Sequence, residues 1–120
     1  MRNEKGYRKL IAWQRANALA HLIYDVTEIF PKSELFGITS QMRRAVLSVC
    51  ANIVEGYSRQ TIKDRRHFYN MAIASLTELE FFIDFAYERK YIEDSNYKKI
   101  LIIAEEAAKI LDGLAKSTRL

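Results

Sequence analysis

Residues 41–59, QMRRAVLSVCANIVEGYSR, decide the fold of this chain. Their apolar side chains recur every three or four residues, which is the period of an α-helix and not of a β-strand. These apolar positions cover more than half of the helix circumference, so we expect neighbouring helices on several of its sides. They are Met42, Ala45, Val46, Leu47, Val49, Cys50, Ile53, Val54, Gly56 and Tyr57.

Small residues form a ridge along this helix, namely Ala45, Ser48, Asn52 and Gly56. A glycine inside a helix costs about 1 kcal/mol relative to alanine, so a packing reason for Gly56 is expected. A ridge of small side chains lets a second backbone approach closely. We therefore predict that another helix packs tightly against this one.

Apolar periodicity predicts three further helices, so that the four helices cover about residues 8–30, 40–59, 62–90 and 95–116. Either Thr39 or Ser40 is the expected N-terminal cap of the central helix, because a hydroxyl oxygen accepts from free backbone N–H groups. Thr61 and Asp64 have the spacing of a capping box and mark the start of the third helix.

The third helix has two apolar faces. The face expected to be buried comprises Phe68, Ala72, Ser75, Leu79, Phe82, Ile83 and Ala86. A second set lies roughly 100° around the helix and comprises Ala74, Phe81 and Phe85. One small bundle core cannot bury both faces. We therefore predict that the second set is the interface of a homo-oligomer, in the form of a ring.

Length and composition favour one all-α domain spanning residues 1–120. A chain of 120 residues builds one core, and a single Pro with four Gly leaves few places to break helices. Four long helices with short connections predict an antiparallel up-down four-helix bundle. The sequence has neither an 18-residue apolar run nor an N-terminal apolar segment after its first charges, so we expect no membrane partner and a cytoplasmic location.

Positive charge is concentrated in the first half of the chain. Residues 1–66 contain twelve Lys and Arg against six Asp and Glu, whereas residues 67–120 contain seven against nine. This bias is compatible with a polyanion partner, with an acidic protein surface, or with a solvated face that only maintains solubility. The candidate nucleic-acid-binding residues are Arg8, Lys9, Arg15, Arg43, Arg44, Arg59, Lys63, Arg65 and Arg66.

Polar residues share one arc of the central helix, and a similar set recurs at helical spacing on the third helix. We predict that they form a polar network at the contact between the two helices, since such groups are costly when buried without partners. They are Ser48, Asn52, Glu55, Ser75 and Glu78.

The sequence offers no constellation for catalysis, metal binding or cofactor binding. Cys50 is the single cysteine, which excludes a disulfide within the chain. Asp64 and His67 give one acidic-x-x-His spacing, whereas a di-iron bundle needs two Glu-x-x-His pairs and two further Glu residues. No glycine-rich phosphate loop occurs. We therefore expect no catalytic residue, no metal and no cofactor.

The runs FGITSQMRRAVLSVCANIVEGYSR and SLTELEFFIDFA, preceded by LIAWQRANALAHLIYDVTEIFP, resemble the four helix bundle protein family, also called 23S rRNA-intervening sequence proteins. The resemblance covers about residues 7–116. The positions that match the family motif are Gln41, Arg43, Arg44, Ser48, Asn52, Glu55, Gly56, Arg59, Ser75 and Glu78.

The resemblance implies a cytosolic protein of bacteria or archaea, without catalytic activity, whose bundle assembles into a ring of five subunits. Similar proteins are accessory factors of the reverse transcriptases of diversity-generating retroelements, where a basic surface contacts nucleic acid. Our leading hypothesis is a non-enzymatic, oligomeric protein that binds RNA or DNA by phosphate contacts. The alternative is a protein-interaction scaffold or accessory subunit, for example of a reverse transcriptase, and an enzyme ranks third.

Overall fold

The computed structural model describes residues 6–118, which contain four long α-helices and no β-strand. The helices are α1 (Ile11–Thr27), α2 (Ser40–Ser58), α3 (Ile62–Glu88) and α4 (Asp94–Ser117). Shorter helical segments precede α1 (Gly6–Lys9) and connect α1 to α2 (Lys32–Glu34 and Leu35–Thr39). The predicted all-α class is confirmed. Residues 1–5 and 119–120 of the predicted domain lie outside the described residues.

Each long helix contacts its neighbours in sequence, and α1 also contacts α4. Contacts between α2 and α3 run in opposite order along the two helices, since Arg44 pairs with Glu78 and Ser48 with Ser75. The other pairs between helices include Arg43 with Thr27, Tyr97 with Asp84, and Arg15 with Glu106. These contacts are consistent with the predicted antiparallel up-down four-helix bundle. None of the helices within residues 6–118 has the length and apolarity needed to span a bilayer.

The core runs along the bundle axis and receives apolar side chains from all four long helices. The largest fully buried ones are Leu19, Ile23, Met42, Val46, Val49, Ile53, Leu76, Leu79, Ile83, Ile100 and Leu111. Burial of such a side chain stabilises a fold by about 1.5–3 kcal/mol. The core therefore supplies most of the stabilisation that holds the helices together.

The close approach of α2 and α3 explains Gly56. A Cβ atom at this position would lie 2.5 Å from Cε1 of Tyr69, far inside van der Waals contact. Tyr69 is buried, and its ring fills the space that the glycine leaves. Ala45 is fully buried on the same helix, as the ridge of small residues predicts.

The predicted core face of α3 is correct at Ala72, Leu79, Ile83 and Ala86 and is only partly buried at its other three positions. Phe68, Ser75 and Phe82 are only half-buried, whereas Tyr69 and Leu76 lie in the core. The Tyr69 ring occupies the space beside Gly56 and is therefore buried. The Ser75 hydroxyl contacts the Ser48 hydroxyl of α2 instead of the core. The buried face of α3 is therefore rotated around the helix axis relative to the predicted face, by less than the angle of about 100° between successive residues.

The capping predictions have mixed outcomes. The Thr61 hydroxyl oxygen accepts from the backbone N–H of Asp64 at 3.1 Å, which confirms the cap of α3. The predicted side-chain cap of α2 is wrong. Thr39 makes no capping bond, and the Ser40 hydroxyl donates instead to the carbonyl of Gly37 at 3.1 Å.

Candidate nucleic-acid interface

Four basic residues lie at the junction of α2 and α3, and we call Arg59, Lys63, Arg65 and Arg66 the basic cluster. All four are exposed. Arg59 directly follows α2, and the other three occupy the first turns of α3. The two helices thus bring four cations together within eight positions of the chain, at one end of the bundle.

The guanidinium group of Arg59 is held in place by its neighbours. It pairs with the Glu55 carboxylate at 2.7 Å and lies 4.6 Å from the centre of the Phe68 ring. The backbone carbonyl of Arg59 accepts from Nε of Arg65 at 2.7 Å. Part of the positive charge of Arg59 is therefore compensated, and its backbone carbonyl orients Arg65.

The remaining members of the basic cluster have no acidic partner among residues 6–118. No ion pair joins Lys63, Arg65 or Arg66 to a carboxylate in this part of the chain. Positive charge in the first turns of a helix is also unfavourable, because the helix dipole places positive potential there. These three side chains therefore present uncompensated charge to an external anion.

Arg8 and Lys9 lie at the same end of the bundle, because the segment Gly6–Lys9 contacts α2. Lys9 is exposed, whereas Arg8 is half-buried and its guanidinium lies 4.9 Å from the Trp13 ring centre. Arg15 pairs with Glu106 of α4. Of these three, Lys9 is the one that extends the exposed positive surface.

Arg43 and Arg44 lie near the opposite end of α2. They precede Arg59 by fifteen or sixteen residues, which corresponds to about 24 Å along the helix axis. Arg44 pairs with Glu78 at 2.8 Å, and Arg43 pairs with Glu28 at 3.3 Å. The nine basic residues predicted from the sequence therefore do not form one continuous surface.

The bonds of the five predicted network residues form separate groups, and two of these bonds, Ser48 with Ser75 and Arg44 with Glu78, cross the α2–α3 contact. The Ser48 and Ser75 hydroxyls lie 2.8 Å apart, and Nδ2 of Asn52 donates to the Ser48 carbonyl at 2.9 Å. Glu78 binds Arg44, and Glu55 binds Arg59. These bonds satisfy polar groups where the two helices approach closely, which is a structural role.

The three residues predicted as an oligomer interface are exposed, and we call Ala74, Phe81 and Phe85 the α3 strip. Phe81 is 63% exposed and Phe85 43%, and their ring centres lie 6.2 Å apart. Met71 is 43% exposed and extends the strip by one turn. Met71 was not among the residues predicted from the sequence, although its position three residues before Ala74 is the signal that identifies it.

A second apolar surface on the same molecule is concave. A groove of about 250 Å³ lies between α1 and α2. It is lined by Asn17, Ala20, His21, Tyr24 and Leu47. Leu47 is 48% exposed, so the bundle core leaves this side chain largely uncovered. The apolar pattern of α2 includes Leu47, but it does not reveal the groove.

The cysteine has little nucleophilic character. Burial raises the pKa of the Cys50 thiol to about 11, so the thiol stays protonated at neutral pH. Within residues 6–118, no group of His, Cys, Asp and Glu side chains has the geometry to hold a metal ion.

Comparison with known proteins gives a family and a similar fold. The model of the family described as 23S rRNA-intervening sequence protein matches residues 8–113. A crystal structure of a protein with unknown function from the S23 ribosomal protein family of Bacteroides thetaiotaomicron VPI-5482 is similar, with a TM-score of 0.80 and 21% sequence identity. The match covers 88% of this chain and 96% of that chain, and at this identity it shows the fold alone. Among curated proteins, none matches this chain.

Proposed function

This chain belongs to the 23S rRNA-intervening sequence protein family, and we propose that it is a non-enzymatic, oligomeric protein that binds the backbone of RNA or DNA. The observation that carries this proposal is the basic cluster. Three of its four cations have no carboxylate partner within residues 6–118, and all four are exposed at one end of the bundle. We propose that the protein acts in the cytoplasm and without a cofactor.

The chemistry of the basic cluster suits phosphates better than bases. Arg and Lys side chains neutralise phosphate charge and release counterions, which gives affinity for any sequence. Reading of bases needs side chains that enter a groove or stack with unpaired bases, whereas this cluster consists of Arg and Lys side chains exposed at a helix junction. We therefore expect binding with little sequence preference and a steep dependence on salt.

Assembly of several subunits would strengthen this binding. One cluster makes few phosphate contacts, but a ring repeats the cluster in every subunit and converts weak contacts into avidity. A closed ring needs two different complementary surfaces on each subunit. We propose the exposed α3 strip and the α1–α2 groove as this pair of surfaces, and a ring of five is the assembly that the family resemblance implies.

The experiment is fluorescence anisotropy with labelled RNA and DNA oligonucleotides of unrelated sequence. The tested variant replaces all four residues of the basic cluster by Gln. We expect affinity to fall by about tenfold or more for every sequence, and the salt slope to fall by about 0.7–0.9 for each lost phosphate contact. The thermal midpoint should remain nearly unchanged because these side chains are exposed.

A control variant removes the same amount of charge from the junction of α3 and α4, at the other end of α3. It combines Arg89→Gln, Lys98→Gln and Lys99→Gln with Lys90→Asn, because Lys90 has a φ of 66°, which Asn tolerates. All four residues are exposed. The control should retain most of the affinity. Equal losses in both variants would show that only net charge matters, and an unchanged affinity in the cluster variant would refute the proposed interface.

A protein-interaction scaffold or accessory subunit is the second candidate. The connection between α1 and α2 exposes Ile29, Leu35 and Phe36, with Phe36 91% exposed. Exposed apolar clusters of this kind mark surfaces that contact other proteins. A scaffold of this type, for example an accessory subunit of a reverse transcriptase, would bind nucleic acid weakly and show a shallow salt dependence, which distinguishes it from the first candidate.

A further inference from the structure

The connection between α1 and α2 borders a cleft of about 120 Å³. The residues that line it include Thr27, Glu28, Lys32, Thr39 and Arg43. Arg43 precedes the first residue of the basic cluster by sixteen positions of α2, about 24 Å along the axis. The cleft is therefore separate from the proposed nucleic-acid interface and lies toward the opposite end of the bundle.

Thr39 gives this cleft an unsatisfied hydrogen-bonding group. The residue is 3% exposed, and its hydroxyl has no hydrogen-bond partner among residues 6–118. Most buried side-chain hydroxyls in folded proteins are paired, because an unpaired one keeps the cost of losing water. Thr39 is one of the residues that line the cleft, although its hydroxyl oxygen is closed to solvent, so a turn of the side chain toward a bound acceptor atom would supply the missing partner.

Arg43 presents a fixed guanidinium group at the same cleft. Its Nε donates to the Thr27 hydroxyl at 2.9 Å, and its Nη2 donates to the Tyr24 carbonyl and to Glu28, both at 3.3 Å. The guanidinium also lies 4.6 Å from the Tyr24 ring centre. Within residues 6–118, Nη1 makes no hydrogen bond, so donors of an oriented arginine remain for a ligand.

The charges around the cleft favour an anion. Arg43 and Lys32 outweigh Glu28, and Thr39 stands at the N-terminus of the 19-residue α2, where the helix dipole is positive. We propose that this cleft binds a phosphate group, either free phosphate or the phosphate of a nucleotide. A tetrahedral phosphate has oxygens for the Thr39 hydroxyl, the Arg43 guanidinium and the Lys32 ammonium in separate directions, whereas a carboxylate has only two oxygens.

The test is a titration of the full-length, ¹⁵N-labelled protein with inorganic phosphate at constant ionic strength. We expect saturable shifts of the backbone amides of residues 39–41. Thr39→Val keeps the side-chain shape and removes the donor, so it should weaken binding by about tenfold or more. Thr39→Ser should retain binding, and Thr77→Val is the matched control because Thr77 donates to a carbonyl within α3.

Glu28→Gln should increase the affinity for phosphate. A misfolded variant would lose affinity, so a gain cannot result from misfolding. Glu28 is largely exposed and competes with a ligand for Arg43 at 3.3 Å. Loss of its charge should tighten phosphate binding by about two- to fivefold, the range of a surface ion pair. This variant therefore tests the proposal independently of any change at Thr39.

A nucleoside monophosphate distinguishes the two sources of the phosphate group. Tighter binding of the nucleotide than of inorganic phosphate assigns the cleft to nucleotides, and equal or weaker binding assigns it to free phosphate. The proposal is overturned if no saturable shift occurs at residues 39–41, if Thr39→Val binds as the unmodified protein does, or if acetate binds as tightly as phosphate. Replacement of the basic cluster by Gln should leave these amide shifts unchanged. The phosphate-binding proposal and the nucleic-acid-binding proposal can therefore be refuted separately.

Discussion

Gly56→Ala tests the close contact between α2 and α3. The added Cβ would lie 2.5 Å from Cε1, 2.7 Å from Cδ1 and 3.1 Å from Cζ of Tyr69. Non-bonded carbon atoms normally lie about 3.5–4.0 Å apart, so the ring or the helices must move by about 1 Å. Tyr69 is 3% exposed and its ring is rigid, so it has little space into which to move.

Helix propensity and overpacking change the free energy of unfolding of Gly56→Ala in opposite directions. Alanine gains about 1 kcal/mol over glycine in a helix interior. Overpacking a well-packed core costs about 1–3 kcal/mol, occasionally more. Because the nearest atoms belong to a buried ring at a close helix contact, we expect overpacking to prevail and the variant to lose about 1–2 kcal/mol, or about 4–8 °C in thermal midpoint.

Gly113→Ala is the matched control. Gly113 lies in α4, and a Cβ added there would meet nothing within 4 Å, so this substitution should stabilise the protein by about 0.5–1 kcal/mol. Chemical denaturation of both variants measures the difference, and in a Tyr69→Ala background Gly56→Ala should become neutral or favourable. A Gly56→Ala variant that is as stable as Gly113→Ala would refute the steric explanation.

Two further predictions concern the α3 strip with its groove and the cysteine. Replacement of Phe81 and Phe85 by Ala, or of Leu47 by Asp, should each convert an assembly into 14.0 kDa particles in light scattering, and an unmodified protein of that mass at micromolar concentration would contradict the proposed ring. Cys50 should react with a thiol reagent at pH 8.5 about 100-fold more slowly in the folded than in the denatured protein, because its folded pKa is raised to about 11. Because the folded protein holds the thiol proton more tightly than the denatured protein does, this group's contribution to the free energy of unfolding is full below the ordinary thiol pKa. The contribution should be lost as pH rises through about 11. Equal rates in both states would contradict the burial of the thiol.

Apolar periodicity predicts the four helices of the bundle. It does not predict several of the helix ends, because these depend on local backbone conformation and hydrogen bonds. The first helix was predicted from residue 8, yet α1 starts at Ile11 because Gly6–Lys9 forms a tighter 3-10 turn in which Gly6 has a φ of 63°. It ends at Thr27, whose hydroxyl donates to the Ile23 carbonyl at 2.7 Å. The start of α3 was predictable because its cap is local in sequence.

The same distinction applies to the candidate site. The basic cluster lies within eight consecutive positions, so its assembly at one helix junction follows from the sequence. The separation of Arg43 from that cluster follows from helix rise alone. The hydrogen bonds that Arg43 donates to Thr27 and Tyr24 depend on how α1 packs against α2. The sequence pattern does not specify this packing.

The salt dependence of nucleic-acid affinity tests most directly whether this protein binds the phosphate backbone. If each residue of the basic cluster contacts one phosphate, log K against log salt should be linear with a slope of about −2.8 for single strands and about −3.6 for duplex DNA, and steeper if several subunits engage. The slope should be the same for unrelated sequences. A slope near zero, or no measurable binding at low salt, would contradict the proposed function.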